Sequence, residues 1–229
     1  MSHFGGSLLL ALFAGGLSLH AAPILIYNTG VDSSNVVLAD GAVDPHYELV
    51  TSGDPAYPGP SAVLVNSSTY PIPPWLANNS TSRWIAPRAD QITGNAPGTY
   101  IYRTTFSLAG LDPTTAILTG QWASDNDGTI RLNGNLVTSG ASGATGNGDF
   151  GAFTAFTLNA ANATFVSGLN TLDFIVINTD LNPNPTGVRV EVAGTADLVN
   201  GSTDVPEPAT FALVGIVLTA GTLLTRRRA

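Results

Sequence analysis

The sequence contains no cysteine and no lysine, and each absence removes a class of chemistry. Without cysteine there are no disulfides, no thiolate nucleophile and no cysteine-based zinc site. Without lysine there is no Schiff base or lysine nucleophile. Of the three histidines, His3 and His20 lie near the N-terminus, which leaves His46 alone in the body of the chain. A zinc site built from several histidines is therefore excluded as well.

Catalytic groups are correspondingly few. A Ser-His-Asp hydrolase would need His46 as its base, and no Gly-x-Ser-x-Gly turn accompanies it. Glycosidases need two carboxyl groups about 5–10 Å apart, and the body offers only Glu48 and Glu191 as glutamates. Arg189 shares a strand face with Glu191 and would lower the pKa of that carboxyl group. The sequence predicts a protein that is not an enzyme and needs no cofactor.

Charge is scarce and of one dominant sign. Only 10% of the residues are charged, and the formal net charge is -8. Between residues 23 and 205, five arginines face fifteen carboxylates, a net charge of −10. A body of this charge repels phosphate backbones, so nucleic acid is excluded as a partner.

The N-terminal segment, residues 1–22, has the pattern of a removable secretory signal. Apolar residues run from Ser7 to Leu19, and the small residues Ala21 and Ala22 follow shortly afterwards. A stretch of 13 residues is too short to cross about 30 Å of hydrocarbon as a helix. Short apolar stretches before small residues are typical of signal peptides. A buried N-terminal helix of a cytoplasmic domain is the alternative.

Three segments follow the body: a linker over 201–208, an apolar helix over 209–225 and a basic tail over 226–229. At about 1.5 Å per residue the uncharged helix reaches about 26 Å, the short end of a membrane span. Arg226, Arg227 and Arg228 are expensive to translocate, which predicts a cytoplasmic tail and a body facing the periplasm. An ordinary single-span anchor in the inner membrane would have the same topology.

These parts, in this order, resemble a known sorting signal. Val205, Pro206, Glu207 and Pro208 precede the apolar helix and the arginine-rich end, as in the PEP-CTERM signal of exported proteins of Gram-negative bacteria. The resemblance implies recognition by an exosortase, a membrane transpeptidase that cuts near the Pro-Glu-Pro motif. It further implies delivery to the cell surface or the extracellular matrix.

The body, residues 23–200, is predicted to be all-β, an antiparallel β-sandwich or jelly roll. Tyr100, Tyr102 and Phe106 fall on one face of a period-two pattern, and Arg103 and Thr105 fall on the other. Many short runs of this kind, separated by Gly- and Pro-rich turns, favour an antiparallel sandwich over a parallel α/β fold. The other predicted strands are 24–28, 47–51, 62–65, 83–86, 116–123, 129–132, 153–158, 170–179 and 188–192.

Residues 100–195 also resemble a galactose-binding-like β-sandwich. The resemblance rests on the segments 106–108, 120–134 and 168–174, the second of which contains an Asn-Gly pair, Asn133-Gly134, that is typical of a hairpin turn. It implies a fold and, at most, a tendency to bind sugars. No enzyme activity and no specific ligand follow from it.

Two features are candidate ligand sites. Trp75 follows two prolines in a predicted loop, where an exposed indole could stack on a polysaccharide, whereas Trp84 and Trp122 are expected in the core. Asp125, Asn126 and Asp127 form a polar turn, and Asp125 and Asp127 are weak candidate ligands for Ca²⁺. The alternative for this turn is a hairpin that uses Asp, Asn and Gly for its backbone geometry.

The sequence therefore predicts an exported, non-catalytic protein of the cell surface or extracellular matrix. Its expected partners are an exosortase, the inner membrane and an extracellular polysaccharide. Two alternatives stay open: a carboxylate-dependent polysaccharide hydrolase in the same location, and a purely structural matrix protein without a ligand.

Overall fold

The structure, a computed structural model, describes residues 21–137 and 149–199. The predicted signal, residues 1–22, lies outside the described residues as far as residue 20, whereas its last two residues, Ala21 and Ala22, are described and pair as part of a β-strand with Asp197 and Ala196. The sorting motif, the apolar helix and the basic tail also lie outside the described residues. Contacts between Cα atoms divide the chain into one unit up to Leu198 and a second, Val199–Ala229, of which only Val199 is described.

Within the described residues the chain forms eleven β-strands and a single turn of 3₁₀ helix, with no α-helix. No helix in this part of the chain is long and apolar enough to span a bilayer. The strands are β1 (Ala21–Pro23), β2 (Val43–Thr51), β3 (Ser61–Leu64), β4 (Ile85–Ala86), β5 (Gly98–Ser107), β6 (Ile117–Asp125), β7 (Asp127–Leu132), β8 (Asn135–Leu136), β9 (Thr154–Leu158), β10 (Leu169–Asn178) and β11 (Gly187–Asp197), and the 3₁₀ turn is Asp149–Gly151.

The all-β antiparallel prediction is confirmed. Alternation in β5 buries Tyr100, Tyr102 and Phe106, while Arg103 and Thr105 point away from the core. Apolar side chains on one face of a strand are removed from water when that face packs on another layer, which contributes roughly 25 cal/mol per Å² of buried apolar surface. This burial fixes the register, because a slip of one residue would turn the apolar side chains outward.

The strands form one continuous antiparallel sheet that curls over on itself. Its order is β8-β7-β10-β5-β2-β3-β4-β11-β6-β9, with β1 paired to β11. We call the strands from β8 to β3 the first layer, and β4, β11, β6, β9 and β1 the second layer. The rings of Trp122 in β6 and Phe174 in β10 lie 5.5 Å apart, so the layers pack face to face around a shared core.

Two local predictions are wrong and one is confirmed. Residues 24–28 form no strand; this segment runs irregularly beside β11, and the amide of Ile24 donates to the carbonyl of Gly194 at 2.9 Å. The acidic turn at Asn126 is not a hairpin, because it links β6 in the second layer to β7 in the first. The predicted hairpin at Asn133-Gly134 does join β7 to β8, and both residues have positive φ.

A small second core covers the outer face of the second layer. Trp75 lies in the long connection between β3 and β4, and Trp84 is the last residue of that connection. Both pack on Ala86 of β4 and Ala123 of β6. The two indole rings lie 4.4 Å apart. The connection thus lies on the sheet as a cover, and it buries both tryptophans.

Candidate functional site

A groove of about 370 Å³ lies along the side of β5 that faces away from the core. Its floor is formed by residues 103–107 of β5, and Leu169 at the start of β10 borders one side. The other side is formed by β2 and by the irregular segment between β1 and β2. The residues that line it are Pro45, His46 and Glu48 of β2 and Leu25 and Tyr27 of that segment. Four separate parts of the chain therefore meet here.

The groove exists because β2 leaves β5 partway along its length. The two strands pair from Glu48, opposite Arg103, to Thr51, opposite Ile101. Between Val43 and Glu48 the pairing register of β2 with β3 shifts, and this part of β2 does not pair with β5. The end of β5 beyond Arg103 is consequently open to the groove on that side.

Buried polar contacts hold the wall of the groove in place. The carboxylate of Asp44 accepts hydrogen bonds from the amides of Gly30 at 2.6 Å, His46 at 2.8 Å and Tyr47 at 3.1 Å. The buried Tyr47 hydroxyl donates to the carbonyl of Tyr27 at 2.9 Å. Burial raises the pKa of Asp44, and the three amide donors oppose that rise. These contacts tie the 27–30 segment to β2, so the wall is preformed.

Tyr27 and His46 form an aromatic pair within this wall. Their rings are stacked, with centroids 3.7 Å apart and planes 7° from parallel. Among the described contacts, Nε2 of His46 is a buried atom without a hydrogen-bond partner. His46 lies within β2 and is half-buried.

Charges cross the face of the first layer in an alternating row. Glu48 lies opposite Arg103, Arg103 opposite Asp173, and Asp173 opposite Arg131. The guanidinium of Arg103 donates two hydrogen bonds to Asp173, at 2.6 and 2.8 Å. This bond and the charges of Asp173 and Glu48 raise the pKa of Arg103. The positive charge that Arg103 brings to the groove is thus already balanced by Asp173.

Trp75 does not offer a face to a ligand, and its predicted exposure is wrong. The side chain is 7% exposed, and its Nε1 donates to Oδ2 of Asp125 at 2.9 Å. Tyr70 packs against the same indole, edge to face. Trp84 and Trp122 lie in the core, as predicted.

The candidate Ca²⁺ ligands are not arranged as an exposed acidic turn. Asp125 is 5% exposed at the end of β6, and its carboxylate is occupied by the Trp75 indole. Burial raises the pKa of Asp125 to about 7; the Trp75 hydrogen bond opposes this rise and the charge of Asp180 adds to it. Asn126 donates its amide to the carbonyl of Ile177, and Asp127 begins β7. No group of three or more His, Cys, Asp or Glu residues that could hold a metal occurs among the described residues.

The two glutamates of the body lie in opposite layers, Glu48 in β2 and Glu191 in β11. Glu191 accepts hydrogen bonds from Gln121, Asn79 and Ser82. Burial raises its pKa, but these donors and Arg189 outweigh burial and lower it. Arg189 is fully buried, 3.6 Å from Glu191, so this pair is not a surface ion pair.

Sequence reasoning missed the groove, although part of its signal was visible. The period-two pattern of β5 already placed Arg103 and Thr105 on the polar face. Tyr27 and His46 line the groove only because β2 diverges from β5, and no pattern in the nearby sequence indicates that divergence.

Comparison with known proteins gives one informative match. No curated protein matches this chain in sequence. Among solved structures, the apo form of a cyclase from Fischerella sp. is 16% identical with a TM-score of 0.43, covering 79% of this chain and 98% of that chain. A cyclase from Fischerella sp. TAU is 14% identical with a TM-score of 0.44, covering 79% and 100% respectively. Similarities this low support no argument, and the galactose-binding-like resemblance stays a prediction.

Residues 204–228 match the family model of the PEP-CTERM protein-sorting motif. The match contains the predicted motif at residues 205–208 and the arginines at 226–228. The chain therefore carries a PEP-CTERM sorting motif, which implies export, anchoring at the C-terminus and processing by an exosortase, a membrane protein.

Proposed function

We propose that this protein is a non-catalytic β-sandwich protein that an exosortase delivers to the cell surface or the extracellular matrix. The observation that carries the proposal is the sorting-motif match over residues 204–228. After export the tail stays in the cytoplasm and the body faces the periplasm, until cleavage near Pro206 to Pro208 releases the body from its membrane helix.

The proposal that the protein is non-catalytic is supported by the residue inventory and by the placement of the two glutamates of the body. A retaining or inverting glycosidase needs one carboxyl group with a raised pKa close to a second one. Glu191 has a lowered pKa, and Glu48 lies in the opposite layer. Asp125, whose pKa burial raises to about 7, is 5% exposed and bonded to Trp75, so it is closed to a substrate.

The proposal is tested by replacing Pro206 and Glu207 with alanine in the native host and locating the protein by fractionation. The natural chain is expected outside the inner membrane in a shortened form. The double variant is expected to stay in the inner membrane at full C-terminal length, because the exosortase no longer recognises its substrate.

The control replaces an acidic residue and a proline in an exposed loop of the body, with Asp180→Ala and Pro183→Ala. This control should be shortened and delivered like the natural chain. Normal delivery of the Pro206→Ala, Glu207→Ala variant would contradict the proposal.

A further inference from the structure

We propose that the groove beside β5 binds a neutral carbohydrate, and that Tyr27, His46, Glu48 and Arg103 are its binding residues. The inference rests on the proposed function, since a sugar ligand is of use to a body displayed outside the cell. It moves the expected ligand site from the second layer, where Trp75 is buried, to the outer face of the first layer.

The size of the groove fits a small ligand. Its volume of about 370 Å³ lies at the lower end of the range of about 300–1,000 Å³ that is usual for ligand pockets. It is a groove along a strand and not a closed cavity, so a chain end or a short stretch of an oligosaccharide can lie in it.

The chemistry of the walls matches the two kinds of surface that a sugar ring presents. Leu25 and Leu169 are 70% and 67% exposed on the borders of the groove, and Tyr27 with its stacked partner adds an aromatic surface. Apolar and aromatic surfaces of this kind pack on the C–H faces of a sugar ring.

The floor supplies hydrogen-bonding groups for the hydroxyl groups of the ring. Glu48 is an exposed acceptor, Arg103 a donor, and the side chains of Thr105 and Ser107 can do both. Arg103 is held by its two bonds to Asp173, so its remaining donors are fixed in direction.

Charge decides which carbohydrate class fits. Arg103 is the only cation among the groove residues, and Asp173 neutralises it, while Glu48 adds a negative charge. The body around the groove has a net charge of −10 over residues 23–205. An acidic polysaccharide would be repelled by this field, whereas a neutral sugar meets no such barrier.

The wall is already in place before any ligand arrives. Asp44 and Tyr47 fix the backbone of the Tyr27 and His46 segments from the buried side. A preformed site loses little conformational entropy on binding, which raises affinity for a small ligand.

The test measures binding of the full chain, purified in a detergent without a sugar headgroup, to an array of neutral, acidic and amino-sugar oligosaccharides. Titration calorimetry follows with the best neutral oligosaccharide. Tyr27→Ala and Glu48→Gln should each weaken that binding at least tenfold. The controls Tyr57→Ala and Asp90→Asn change a tyrosine and an acidic residue away from the groove and should bind like the natural chain.

Glu48 is exposed, and glutamine has nearly the same size as glutamate. The Glu48→Gln variant is therefore expected to fold, and a loss of binding in it reports on the groove. The inference is overturned if no neutral oligosaccharide binds at millimolar concentration, if only acidic or amino sugars bind, or if both groove variants bind normally. Failure here is distinguishable from failure of the proposed function, because binding is measured on purified protein and sorting is measured in cells.

Discussion

Asp125 shows how a buried side chain contributes to the pH dependence of the stability of the whole protein. Its carboxyl group lies under the Trp75 indole and is 5% exposed. Burial disfavours the charged form of an acid, and the indole donor offsets this only in part, so the pKa of Asp125 rises to about 7. The folded protein therefore binds a proton at this site more tightly than the unfolded chain.

This raised pKa predicts that stability falls as pH rises. Below the ordinary aspartate pKa of 3.8 both states are protonated, and the contribution of Asp125 is fully present. Between there and about pH 7 the unfolded chain loses its proton first, so each pH unit lowers the free energy of unfolding by up to about 1.4 kcal/mol. Chemical unfolding at pH 5 and pH 8 should show higher stability at pH 5.

Asp125→Asn should flatten this pH dependence, because an amide oxygen can still accept the Trp75 hydrogen bond but cannot titrate. Asp197→Asn, at a half-exposed carboxylate in β11, serves as the matched control and should keep the natural slope. An Asp125→Asn protein with an unchanged slope would show that the burial of Asp125 does not set the pH dependence.

At the scale of elements, the tight hairpin between β7 and β8 depends on backbone geometry. Asn133 and Gly134 have φ of 51° and 80°, the combination that a two-residue hairpin turn requires. A Cβ at Gly134 would meet nothing within 4 Å, so a substitution there is resisted by backbone strain alone.

Gly134→Ala should therefore lower the free energy of unfolding by about 1–2 kcal/mol. Gly134→Asn should lose less, since asparagine adopts the left-handed conformation more readily than alanine. Urea unfolding of both variants tests this. Equal losses for alanine and asparagine would show that strain is not the cause.

Elements with strong local patterns could be predicted from the sequence, and those that depend on distant contacts could not. The strand predicted through Tyr100, Tyr102 and Phe106 is β5, because alternating aromatic residues identify its buried face locally. Trp75 follows two prolines and reads as an exposed loop residue, yet its partner Asp125 lies 50 positions later in the chain. Nothing near Trp75 in the sequence records that contact.

The candidate site was hidden for the same reason. Tyr27, Glu48 and Arg103 come from three separate segments, and only the divergence of β2 from β5 brings them around one groove. The sorting motif is the opposite case: residues 204–228 form one contiguous signal that can be read without a structure.

At the scale of the whole molecule, an acidic two-layer body is followed by a contiguous sorting motif. The described body ends with β11, which pairs with β1, β4 and β6. The body is thus completed by strands that precede the sorting motif at 204–228. Cleavage near Pro206 to Pro208 would remove none of these strands, so we expect the body to keep its fold after this cleavage. Removal of the predicted signal, residues 1–22, would take two of the three residues of β1.

Intact-mass analysis of the protein isolated from its native host tests the central claim of export and exosortase processing most directly. We expect a chain that lacks the N-terminal signal and lacks the apolar helix and arginines after Pro208, recovered outside the inner membrane. A cytoplasmic protein with the mass of all 229 residues would contradict the account.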